Sequence, residues 1–226
     1  DPKEKIRILY KHLQKKNRYV AIEMGLAGWQ PQFADQVYKN RYGDCKDLST
    51  YMISMLKVAG IKSHPALALT RDDGIVNTAQ PSNQFNHCIV CVPLEKDTVW
   101  LECTSTYDDM EDMPYTIEDI DALVVCDEKG ELIHTPQKKF NQNSMISVFN
   151  GTIEITGDLK FDAKIETAGN QKDHIKNSLA RFNSKDDNVF ITNLLSSNYS
   201  NLTVEKFESD ELTSENNRSL LLSVNG

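Results

Sequence analysis

Three side chains of the 226-residue chain are of the types needed to break an acyl bond, and they occur in the order Cys45, His87, Glu102. A thiolate is the competent nucleophile, an imidazole takes its proton and later returns one to a leaving group, and a carboxylate fixes the tautomer of that imidazole and stabilises the imidazolium. Cys45 stands in Tyr42-Gly43-Asp44-Cys45-Lys46-Asp47-Leu48, just ahead of an apolar stripe of Tyr51, Met52, Met55, Leu56 and Ala59 that Gly60 closes. The spacing predicts a helix that opens at Cys45, with the cysteine on the same inward stripe as Leu48. At such an end, unpaired N–H groups and the positive pole of the helix favour an anion on sulfur, and the same N–H groups can donate to the oxyanion of a tetrahedral intermediate. Asp44 and Asp47 work against the thiolate unless another group neutralises them.

His87 lies in Phe85-Asn86-His87-Cys88-Ile89-Val90, which reads as a strand apolar on both faces and therefore interior to its sheet. Packed against the helix that begins at Cys45, such a strand lets the imidazole reach the sulfur; the other reading is a satisfied core histidine. Glu102 falls in Val99-Trp100-Leu101-Glu102-Cys103-Thr104, where alternation groups it with Trp100 and Thr104 on one face. A carboxylate in so apolar a strand needs a partner, and an imidazole N–H is the natural one. The alternative is an edge strand with Glu102 turned to water. Nucleophile, base and acid in that order on three separate elements favour the first reading of each.

The elements that must hold these residues are of mixed type. Ile6, Leu9, Tyr10 and Leu13 predict an amphipathic helix over residues 3–16 with a solvated, Lys-rich face. Pro31 ahead of Phe33, Ala34, Val37 and Tyr38 predicts a short helix with proline near its first turn, ending near Asn40. Strands are expected at Ser63–Leu69, Phe85–Val92 and Thr98–Thr104, the last two forming a hairpin, and at Ala122–Cys126 and Leu132-Ile133 of the same antiparallel sheet. The polar stretch from Thr135 to Asn143 marks a boundary. The expected organisation is an α+β domain over residues 1–135 and a smaller α+β unit, cut short, over 136–226. The second unit has strands at Ser147–Ile155 and Leu159–Thr167 around Thr156-Gly157-Asp158, helices at Lys172–Phe182 and Val189–Leu195, and an extended Thr203–Phe207. The start at Asp1 and the stop within the apolar run Leu220–Val224 suggest a fragment of a longer protein with flanking domains.

Composition narrows the function classes. A formal charge of −8 and a pI near 5.2 disfavour a nucleic-acid partner, since phosphate binders concentrate Lys and Arg. No stretch has the roughly 20 apolar residues needed to span a bilayer, and the first residues are unlike a signal peptide. Five cysteines, at 45, 88, 91, 103 and 126, leave at least one thiol unpaired in a monomer. Cys88 and Cys91 form a C-x-x-C, but without a second pair, and on a strand an offset of three turns them to opposite faces, so no metal site and no cofactor are expected. His134 and His174 have no metal-like companion and are expected on the surface. The Asn-x-Ser/Thr matches at Asn150, Asn198, Asn201 and Asn217 are given no role.

Tyr42-Gly43-Asp44-Cys45-Lys46-Asp47, Asn86-His87 and Trp100-Leu101-Glu102-Cys103-Thr104 together resemble the transglutaminase-like superfamily over roughly residues 1–135. Arg18-Tyr19-Val20-Ala21-Ile22-Glu23 with Gly25 and Gln30-Pro31 resemble a bacterial, multidomain branch of it. The resemblance implies a papain-like fold with Cys45 as nucleophile, His87 as base and Glu102 as orienting acid, a protein or peptide substrate, and an extracytoplasmic location. It also implies thiol-dependent amide hydrolysis through an acyl-enzyme. The alternatives are amine transfer to protein glutamine, or an inactive scaffold that binds peptide or glycan. The family usually has Asp where Glu102 stands, commonly as D-x-T, and Asp108 and Asp109 are the substitutes at hand. Trp29 and Gln30 are the candidates for a side-chain oxyanion donor or substrate contact, against a reading as loop packing.

Overall fold

The computed structural model describes residues 1–22, 25–110, 112–127, 129–181, 184–196, 202–213 and 218–226. The chain divides into two compact units, Asp1–Gln137 and Lys138–Gly226. Both are α+β, each with a larger antiparallel sheet.

The first unit opens with α1, Pro2–Lys16, whose N-cap Asp1 accepts from the Lys3 N–H and whose inner face buries Ile6, Tyr10 and Leu13. Two short strands, β1 (Arg18–Tyr19) and β2 (Tyr42–Gly43), pair in parallel and bracket α2, Ala34–Asn40. The proline expected in the first turn of α2 lies outside it, because Phe33 is the N-cap and Pro31 belongs to the approach. Helix α3, Cys45–Val58, buries Leu48, Tyr51, Met52 and Leu56. It stops where the spacing predicts. Gly60, at φ +76, follows the C-cap Ala59, the Gly60 N–H donates to Lys57 O at 3.1 Å and the Ile61 N–H to Leu56 O at 2.9 Å. That is the paired closure a left-handed glycine permits.

The sheet of this unit contains β3 (His64–Ala68), β4 (His87–Pro93), β5 (Thr98–Leu101), β6 (Asp121–Val125) and β7 (Gly130–His134), in the order β5-β4-β3-β6-β7. Strand β4 lies between β5 and β3 and is buried on both faces. Val90 and Val92 pack with α1 and α3, whereas Ile89 and Cys91 join Ala66, Trp100, Ile117 and Val124 on the other side. Strand β5 is shorter than expected. It stops at Leu101, and the Thr104 N–H that would have continued a ladder donates instead to the Glu102 carboxylate.

In the second unit, β8 (Met145–Ile153), β9 (Leu159–Ala168), β10 (Lys206–Thr213) and β11 (Arg218–Asn225) form a sheet in the order β10-β11-β9-β8. Helices α4 (Asn170–Arg181) and α5 (Ser184–Ser196) supply Ile175, Ile191 and Leu195 to a core with Phe161, Ala163, Ile165, Leu220, Leu222 and Val224. The β8–β9 turn closes with the Glu154 N–H on Asp158 O at 2.8 Å and Gly157 at φ +91. The extended run expected from Thr203 becomes a strand only at Lys206. Asn150 lies on β8. Glu23, Phe182, Asn198, Asn201 and Asn217, all named above, lie outside the described residues. Among the described residues no helix is long and apolar enough to cross a membrane.

Candidate active site

Cys45 is the first residue of α3, and the end of that helix is built around it. The N-cap Asp44 is buried and accepts from the N–H groups of Lys46 and Asp47, both at 3.1 Å, while its other oxygen pairs with the Lys46 ammonium. Asp47 reciprocates by accepting from the Asp44 N–H at 3.1 Å. It also takes the main-chain N–H of Gln32 at 2.7 Å and its side-chain amide at 2.9 Å. The two aspartates that seemed to oppose a thiolate are thus held by a lysine and by N–H donors. Because Asp44 uses the N–H groups of Lys46 and Asp47, the N–H at this end left to face a substrate is that of Cys45 itself. Gly43 precedes the cap for a steric reason: a Cβ there would lie 2.6 Å from Cβ of Asp47.

His87 opens β4, and its Nε2 lies 2.6 Å from Oε2 of Glu102. The other carboxylate oxygen, Oε1, accepts from the Thr104 N–H at 2.8 Å and the Thr104 hydroxyl at 2.6 Å. Glu102 is 7% exposed although β5 is an edge strand, and its main-chain carbonyl accepts from the Tyr10 hydroxyl of α1 at 2.5 Å. Burial of Glu102 favours the neutral acid, but the His87 charge and the bonds from His87 and Thr104 outweigh it and hold the carboxyl below its ordinary range. Burial likewise opposes a charged His87; the Glu102 carboxylate, hydrogen bonding to Cys45 and Glu102, and the Cys45 charge overcome that and push it up to about 10. With Nε2 on the carboxylate, Nδ1 is the nitrogen left for the sulfur.

The carboxylate that meets the imidazole is therefore Glu102. Asp108 is buried in the following loop, where its carbonyl accepts from the Gln14 amide at 2.8 Å and its N–H donates to Ser105 Oγ at 3.1 Å. Trp29 is 75% exposed and Gln30 is also exposed; both donate main-chain N–H groups to the Leu26 carbonyl. Gln32 is the glutamine tied to the helix end. Asn86 fixes the approach to His87, donating from Nδ2 to Thr70 Oγ1 at 3.0 Å and Asp73 Oδ2 at 2.5 Å, and accepting from the Thr70 N–H at 3.0 Å. Thr104, Tyr10 and Gln32 carry no signal of their own in the sequence; only the Glu-x-Thr spacing hints at the first. Among the described residues no group of three or more His, Cys, Asp or Glu is placed to hold a metal ion.

The other thiols differ from Cys45 in their surroundings. Burial pushes the Cys88 thiol up to about 12 and the Cys91 thiol up to about 11, and it carries Cys103 well above the ordinary range. These three stay protonated. Cys45 is partly exposed, at the mouth of the site.

No curated protein matches the chain. A solved crystal structure from Parabacteroides distasonis, described as a "putative protease", is similar at 12% identity with a TM-score of 0.45, over 100% of this chain and 46% of that one. The chain thus spans less than half the length of that protein. The sequence profile of the transglutaminase-like superfamily matches residues 1–105, a span that contains Cys45, His87 and Glu102. Over this span, most of its first unit, the chain is similar to the transglutaminase-like superfamily.

Proposed function

We propose that the first unit is a thiol-dependent amide hydrolase, acting on peptide or protein through an acyl-enzyme on Cys45. The observation that carries this reading is the 2.6 Å contact of His87 Nε2 with a buried Glu102, which holds the ring charged and leaves Nδ1 for the sulfur at the helix end. The thiolate attacks the amide carbonyl, and the Cys45 N–H donates to the oxygen as it becomes negative. His87 returns a proton to the departing amine, then removes one from the water that resolves the thioester. The side chain of Gln30, on the exposed turn before α2, is the candidate second donor to the oxyanion.

Two measurements test the reading. Under iodoacetamide, Cys45 is labelled ahead of the other four thiols, and the lead disappears in His87→Ala; equal, slow labelling of all five overturns the enzyme in favour of an idle scaffold. Incubation with casein and a labelled amine separates hydrolysis from transfer. Released peptides without incorporated label are expected, and label incorporation without peptide release overturns hydrolysis.

A further inference from the structure

The five thiols lie on two sides of the sheet. Cys91 packs with Ile89 and Trp100 on the side away from the helices, where Cys126 packs against the same cluster. Cys103 belongs to the core built on α1 and α3, and Cys88 shares the alternation of Val90 and Val92, which belong to that same core. Ser49 stands one turn after Cys45 on the same face of α3. Its hydroxyl donates to the Cys88 carbonyl at 3.1 Å, and a charge on Cys45 acts on both thiols. Beneath the partly exposed Cys45, two buried thiols are therefore held against the first turns of its helix. Cys103 is turned towards the Leu101 carbonyl, 3.9 Å from its sulfur. The Cys88 main chain is tied to α3 by Ser49, one turn from Cys45.

We propose that Cys88 is a resolving thiol for Cys45: once a hydroperoxide has oxidised Cys45, Cys88 closes a Cys45–Cys88 disulfide that reversibly silences the site. This rests on the reading of Cys45 as the reactive thiolate. In the first step the Cys45 sulfur attacks the peroxide, a sulfur–oxygen bond forms, the oxygen–oxygen bond breaks, and the distal oxygen leaves as water or an alcohol. In the second, the Cys88 sulfur attacks the Cys45 sulfenic acid, a sulfur–sulfur bond forms, and the hydroxyl leaves with the Cys88 proton as water. The two thiols are oxidised by two electrons and the peroxide is reduced by two. Burial keeps Cys88 from meeting oxidants directly, so it reacts only after Cys45 has. The disulfide spares Cys45 from sulfinic acid, and a dithiol reductant restores the thiol.

The test is hydrogen peroxide treatment of the whole chain, blocking of free thiols, non-reducing digestion and mass spectrometry. The expected product is a cross-linked peptide joining Cys45 to Cys88, lighter by two hydrogens, which dithiothreitol separates. In Cys88→Ala, Cys45 gains two oxygens and dithiothreitol does not recover it; Cys103→Ala keeps the cross-link. The inference is overturned if wild-type Cys45 goes to sulfinic acid with no cross-linked peptide, or if it is found joined to Cys103. Should Cys88→Ala fail to fold, the wild-type peptide map decides alone. Because the readout is mass and not turnover, a missing disulfide in a protein that hydrolyses peptide sinks this inference only, and a disulfide in a protein that does not sinks only the hydrolase.

Discussion

Two imidazoles in the first unit each meet carboxylates, and they differ in what surrounds them. His134, at the end of β7, has Nδ1 2.8 Å from Asp121 and Nε2 3.0 Å from Asp119, yet its side chain is 59% exposed. His87 meets a single carboxylate, Glu102, with its own side chain 17% exposed. Both are raised above 6.5, His134 by its bonds to Asp121 and Asp119. Water screens the pair at the surface, and exposed ion pairs contribute about 0–1 kcal/mol. At His87 the partner is out of water and fixed by Thr104, so removing it strands a charge in a poorly solvated place. A histidine beside an acid marks chemistry only where burial makes each depend on the other.

The contrast is broken most severely at the site. Glu102→Gln removes the charge that holds the His87 ring protonated; peptide hydrolysis is expected to fall by about 10²–10⁴-fold. The alkaline limb of kcat/KM should move down from near 10 towards 6.5, which a pH-rate profile reads directly. Glu102→Asp is milder. One methylene shorter, the carboxylate on this backbone cannot keep both His87 and Thr104, and a loss of about 10-fold in kcat is expected with KM little changed. Thr104→Val removes the hydroxyl and keeps the main-chain N–H, so it should cost about 1 kcal/mol of stability by urea denaturation and a few-fold in rate.

The pH dependence of stability separates the same two histidines. The folded pKa of His87 lies above its ordinary 6.5, so its pairing contributes fully below 6.5 and is lost as pH rises through about 10. Between those values the urea midpoint of the wild type should fall, and that of Glu102→Gln should fall less. The smallest effect is expected at the surface: His134→Ala changes stability by less than about 0.5 kcal/mol at neutral pH, despite removing two carboxylate contacts. A larger loss there would mean that contact number, and not burial, sets the value of such pairs.

The residue types, their order and the local elements were legible along the chain, because they depend on short-range rules. The run from Asp44 to Gly60 carries its own start, stripe and stop, and all three appear in α3. Pro31 misled, since proline suits an approach to a helix as well as a first turn, and Phe33 took the cap. The end of β5 was beyond alternation to find, since it depends on which acceptor captures the Thr104 N–H.

What the sequence determined by itself was a cysteine at the head of a helix, a histidine on an apolar strand and an acid two strand positions after Trp100, for each of these follows from spacing and alternation within a few residues. Only the tertiary structure decided that Glu102, and not Asp108, meets His87, that Lys46 and Gln32 quiet the two aspartates beside Cys45, and that Tyr10 and Thr104 hold the acid in place. These contacts join residues distant in the chain, and the side chain that a buried polar group meets is set by the packing of helix on sheet, which no local pattern encodes.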